Sequence, residues 1–171
     1  MNIILCIMIL ILLIVIYICL LLVSPPRYHS FLPSLNVYPE NEKEAKEVEE
    51  ETKQKTYFDV MFFKKTDPSI SYAFHELVPQ YSVGELNHII SNVSLFVYSL
   101  KYSINRARPH QIRDSIDVLE SKTASTPSYP AGHAFQAYYL AKYLTKKHPE
   151  KEKELNALAE KCDLVRVKAG L

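Results

Sequence analysis

Three cysteines in 171 residues are too few to staple a small domain with disulfides, and two of them, Cys6 and Cys19, lie within an apolar run. Cys162 is alone in the remainder, so no bridge is expected there, and no Cys/His spacing of the zinc type occurs. No segment alternates convincingly with a period of two, which removes the usual strand signal, and no internal repeat is visible. Neither sign of charge dominates, with 20 Lys+Arg against 19 Asp+Glu. The balance hides an asymmetry, since residues 40–51 (ENEKEAKEVEEE) hold seven glutamates and two lysines, a local net of −5. The whole-chain charge therefore says little about partners. What is present, 48% hydrophobic residues over a length suited to one domain, excludes a wholly disordered or collagen-like chain.

Residues 3–23 (IILCIMILILLIVIYICLLLV) are 21 consecutive apolar residues without a charge. As a helix rising 1.5 Å per residue they would reach roughly 31 Å, about the hydrocarbon thickness of a bilayer. A cleaved signal peptide fits less well: no basic residue precedes the run, and LVSPP after it lacks a small-x-small site. A single-pass membrane anchor is the expectation. Arg27 and Lys43 follow the span and nothing basic precedes it, which leans toward a cytoplasmic C-terminal side.

Pro25, Pro26, Pro33 and Pro39 then interrupt regular structure, and the acidic stretch 40–55 reads as a spacer because no apolar stripe would anchor it. The division is a transmembrane anchor over 1–23, a Pro-rich and acidic linker over 24–56, and a helical domain over 57–171. Leu86, Ile89, Ile90, Val93, Val97, Leu100 and Ile104 recur at helical intervals and predict a helix from Ser82 to Ala107, stopped by Pro109. A second helix is expected from Gly132 to Lys147, after the breaker-rich STPSYP run. A third begins at Pro149, with Leu155, Leu158, Ala159 and Cys162 as its stripe. The fold class is all-α.

Three stretches carry more than packing. In KYSINRARP, Lys101 and Arg108 are seven apart and would share one face of a continuous helix. No acidic residue lies between Leu86 and Arg113, so Lys101, Arg106, Arg108 and Arg113 form a cationic helix end, which the macrodipole alone would favour. In YPAGH, a helix starting at Gly132 would aim backbone N–H groups at an anion, with His133 beside it in a pKa range useful for proton transfer. Arg166 falls eleven residues after Leu155, on the apolar stripe of its own helix, and an inward guanidinium requires a partner. A buried salt bridge or a bound phosphate would serve.

In this order the stretches resemble the type 2 phosphatidic acid phosphatase superfamily, which also holds the bacterial non-specific acid phosphatases and the vanadium haloperoxidases. The family's K-x6-R-P motif is matched by Lys101, Arg108 and Pro109. Its P-S-G-H motif is matched by Pro130, Gly132 and His133, with Ala131 in place of serine. Its S-R-x5-H-x3-D motif is matched at Arg166, with Val165 in place of serine and Leu171 as the fifth spacer. The histidine would then fall directly after Leu171 and the aspartate four beyond it. His29, His75, His88, His110 and His148 are not in a matching context. The single anchor and the polar stretch 57–85 bring the chain closest to the acid phosphatase branch.

The resemblance implies a helical bundle of the phosphatidic acid phosphatase type 2/haloperoxidase kind, incomplete at its C-terminus. It implies a membrane-anchored hydrolase of phosphate monoesters, with a phospholipid as the other substrate class, acting through a phosphohistidine intermediate. Lys101, Arg108, Gly132 and Arg166 would bind phosphate and His133 would protonate the leaving alcohol. No metal and no cofactor are implied, except vanadate under the haloperoxidase alternative. A further alternative is a binding protein for phosphate or a phospholipid headgroup without turnover. Nucleic acid is not an expected partner, although a helical module with a basic patch would bind it or anionic lipid. Removal of helices that complete the bundle would leave apolar surface exposed.

Overall fold

A computed structural model of the chain describes residues 3–23 and 40–171, with side chains described from 5–18 and 40–171. The proline-rich part of the expected linker, 24–39, lies outside the described residues. Every regular element described is helical, and no strand occurs among the described residues, so the chain is all-α.

The apolar run forms α1, Ile3–Val23. Its described side chains are largely exposed, for example Met8 at 62%. Among the described residues no helix is long and apolar enough to cross a membrane, the side chains of α1 being described only over 5–18.

The acidic stretch corrects the expectation of a loose spacer. It is a helix, α2 (Asn41–Lys53), capped by the Glu40 carboxylate, which accepts from the amides of Glu42 and Lys43. Ala45, Val48 and Thr52 are buried along one side of it, so the folded region starts before Tyr57. The partners are α6 (Pro109–Ile112) and α8 (Glu152–Lys168). Ala45 and Val48 cluster there with Ile116, and ion pairs flank them: Glu44 with Arg106, and Glu49 with Arg113 at 2.9 Å. Val48→Asp is expected to cost about 2–4 kcal/mol and to strip hydrogen-exchange protection from 41–53 first, because it forces a carboxylate into that apolar seam.

The body of the bundle packs α8 against α7 (Gly132–Thr145), with α5 (Val83–Ile104) on the other side of α7. Two short helices, α3 (Tyr57–Thr66) and α4 (Ser71–Leu77), close it against α8 and α5. Phe74, Leu86, Leu140, Leu144 and Leu155 are fully buried in one cluster with Cys162. Each such Leu or Phe stabilises the fold by roughly 1.5–3 kcal/mol relative to exposure.

The helix ends decide what faces the site. At its start α5 is fixed by a capping box in which Ser82 Oγ accepts from the Glu85 amide at 3.2 Å and Glu85 Oε2 accepts from the Ser82 amide at 2.7 Å. It stops at Ile104, not near Pro109, because Asn105 adopts the left-handed conformation at φ 51. Pro109 instead opens the next helix. At the far end of α8, Leu171 N–H donates to Arg166 O (3.1 Å) and Gly170 N–H to Val167 O (2.9 Å), a Schellman turn. Gly170 sits at φ +78, and a Cβ there would lie 2.9 Å from Ile116, so the position demands glycine. Exposed apolar residues include Phe58 and Leu95, at 81% and 80%.

Candidate functional site

Lys101, Arg108, Gly132, His133 and Arg166 all line one cavity of about 360 Å³, which Leu171 also lines. No aspartate or glutamate lines it. The convergence is not the one the spacing predicts. With α5 ending at Ile104, Arg108 stands on extended backbone (φ −80, ψ 152), so it does not share a helix face with Lys101. The chain turn at Asn105 brings them together instead.

The four-residue cationic patch also divides. Arg106 donates from Nε to Asn41 Oδ1 (3.1 Å) and pairs with Glu44, while Arg113 pairs with Glu49 and Glu42. Both serve the docking of α2. Lys101 and Arg108 serve the cavity.

Backbone carbonyls hold those two cations. Lys101 Nζ donates to Pro127 O (2.6 Å) and Ser128 O (3.3 Å), and Arg108 Nε donates to Thr126 O (3.0 Å). The breaker-rich run supplies these acceptors because prolines keep it out of regular structure, leaving its carbonyls without ladder partners. Ser128 ties the run back, its amide donating to Arg106 O (2.9 Å) and its hydroxyl to Ala107 O (2.7 Å). Burial, and then the charges of Arg108 and Arg166, bring the Lys101 pKa down to about 7.

Gly132 opens α7, and Ala131 before it offers no side-chain cap, so the first amides of α7 lack intrahelical acceptors where they border the cavity. A Cβ on Gly132 would lie 3.4 Å from Lys101 Cε, in ordinary van der Waals contact with the lysine stem. The ring of His133 is fixed by the Asp67 carbonyl, 2.9 Å from Nε2. A carbonyl only accepts, which places a proton on Nε2 and leaves Nδ1 as the lone pair of the neutral ring. Burial, with Arg166 adding to it, lowers the His133 pKa to about 4, below the range the sequence suggests. In the free protein the imidazole is neutral at pH 7.

Arg166 is 7% exposed and lies on the α8 stripe as its spacing predicts. Its NH1 pairs with Asp67 Oδ1 at 2.7 Å, and its guanidinium lies 4.9 Å from the Phe63 ring centre. The buried salt bridge is thus present, and Arg166 still reaches the cavity wall. Asp67, just past α3, is a participant the sequence does not signal. Its carboxylate also accepts from Ser121 Oγ (2.6 Å), the Lys122 amide (2.9 Å) and Thr123 Oγ1 (3.0 Å). An isolated aspartate in a polar stretch has no distinguishing pattern.

The fold and the site together define an all-helical protein with a cavity lined by Lys101, Arg108 and Arg166. Comparison with family models, with curated proteins and with solved structures found no match.

Proposed function

We propose that the chain belongs to a membrane-anchored phosphatase that binds the phosphoryl group of a monoester between Lys101, Arg108, Arg166 and the N-terminus of α7. The observation that carries this reading is the meeting of three cations and an uncapped helix start on one cavity lined by no aspartate or glutamate side chain. Such donors stabilise charge on the equatorial oxygens of a phosphoryl group, the dominant electrostatic contribution to its transfer. Residues 3–23 form the anchor in this reading, which rests on the sequence: 21 consecutive apolar residues would reach roughly 31 Å as a helix.

His133 is the acid that protonates the leaving alcohol. The dianion of the bound ester draws a proton onto Nδ1, offsetting the burial and the Arg166 charge that keep the free ring neutral. The family resemblance puts the nucleophilic histidine directly after Leu171, and Leu171 lines the cavity. The reading is tested by calorimetry of the full chain with inorganic phosphate, and by aryl phosphate hydrolysis in a chain continued by that histidine. Millimolar phosphate without measurable binding would refute it.

Sulfate, dianionic throughout the range, isolates the protein's own titration. Lys101 loses its charge as pH rises through about 7. Sulfate affinity is therefore expected to fall roughly tenfold or more between about pH 6 and pH 9, the contribution of one charge-assisted contact. A flat profile would remove Lys101 from the cradle.

A further inference from the structure

Beyond the three cations, the cavity has a second wall, and its chemistry bears on the alcohol rather than the phosphate. On α5 the positions that face the cavity include Asn87, Ser91, Ser94 and Tyr98, spaced four, three and four residues apart and ending at Lys101. That spacing is one face of the helix. Across from it, Gln136 lies one turn after Gly132 and three residues after His133, on the wall beside the proposed acid. Resting on the phosphatase reading, we infer that the leaving group is a small alcohol carrying further hydroxyls, of glycerol or sugar size, recognised by Asn87, Ser91, Ser94 and Gln136.

The hydrogen-bonding state of this wall carries the inference. Ser91 Oγ donates to His88 O (2.6 Å), Ser94 Oγ to Ile90 O (3.4 Å) and Ser69 Oγ to Asn87 Oδ1 (2.6 Å). Each serine has used its single proton on the protein, so what it presents to the cavity is an acceptor. The Asn87 amide has its oxygen engaged and presents N–H donors. Gln136, half-buried, makes no hydrogen bond to the protein among the described residues and offers both kinds of group. A wall that offers both acceptors and donors matches hydroxyls, which donate and accept at once. An alkyl or acyl chain would cover these groups without satisfying them, which is where hydrogen-bonding sites discriminate most strongly. No aspartate or glutamate side chain in the lining offers a counter-charge for an alcohol that carries an ammonium group. A volume of about 360 Å³ lies toward the small end of ligand pockets, roughly 300–1,000 Å³.

The test compares two esters of similar size on the full chain in detergent, glycerol 3-phosphate and butyl phosphate, with inorganic phosphate measured alongside. Glycerol 3-phosphate is expected to bind at least about tenfold more tightly than butyl phosphate. Gln136→Leu is expected to bring that ratio to within about threefold of unity, with the melting temperature reporting on the fold. If this variant fails to fold, Ser91→Val on the exposed rim is expected to lower the same ratio. Equal or tighter binding of butyl phosphate by the wild-type chain overturns the inference while leaving the phosphatase reading in place. A ratio unchanged in a folded variant overturns it equally. Failure of inorganic phosphate to bind overturns both.

Discussion

Arg108→Ala is expected to weaken phosphate binding roughly 10- to 150-fold, the worth of one or two hydrogen bonds to a charged partner. Thr126 O holds Nε, so the guanidinium is aimed before the ligand arrives and little side-chain entropy is lost on binding. Lysine at this position is expected to recover only part of the affinity, because an ammonium cannot grip the carbonyl and present a planar pair of donors together. Arg106→Ala provides the contrast. Arg106 is two residues away and similarly buried, yet it lines a neighbouring cavity beside α2 and pairs with Glu44. Its removal is expected to lower the melting temperature while changing phosphate affinity less than about threefold. Calorimetry on both variants decides between a directed cradle and a diffuse basic patch. Equal losses of affinity at the two positions would refute the cradle.

That contrast also marks where the sequence is readable. Helices α5, α7 and α8 are legible because each buries a continuous stripe, so period and burial agree: Leu86, Ile89, Ile90 and Val97 on one, Leu155, Ala159 and Cys162 on another. Arg166 is legible for the same reason, as a charge on an apolar stripe. Helix α2 is not. Its buried face is only Ala45, Val48 and Thr52, and its docking depends on arginines more than sixty residues away, a relation no local window contains. The aim of Lys101 and Arg108 is hidden in another way, because carbonyls of 126–128 set it and a carbonyl belongs to every residue type. Motif spacing picked out cations that share one cavity but implied a helix face, whereas a left-handed Asn105 supplies the geometry.

Asp67→Asn is expected to destabilise the fold by roughly 3–5 kcal/mol, the usual consequence of stranding one member of a buried ion pair. Asparagine keeps the shape but not the charge, so Arg166 would remain buried without compensation. Burial alone would raise the Asp67 pKa. The hydrogen bond from Arg166, with those from Ser121 and the Lys122 amide, outweighs burial and holds the carboxyl below its ordinary range. A native pKa below the unfolded one means the native state binds the proton less readily. The contribution is therefore complete above the unfolded carboxylate value of about 3.9 and drains away as pH falls through the native one. His133 acts in the same direction at higher pH. It stays neutral down to about 4 in the native state but titrates near 6.5 when unfolded, so stability is lost across that interval. Urea melts from about pH 3 to pH 8 should show wild type and variant separated by a constant gap above pH 5 and converging only below pH 4. Phosphate should stabilise the variant more than the wild type, since an anion in the cavity gives Arg166 the partner that asparagine withholds. A variant as stable as the wild type, with an ordinary phosphate response, would mean that Asp67 neither anchors Arg166 nor competes for it.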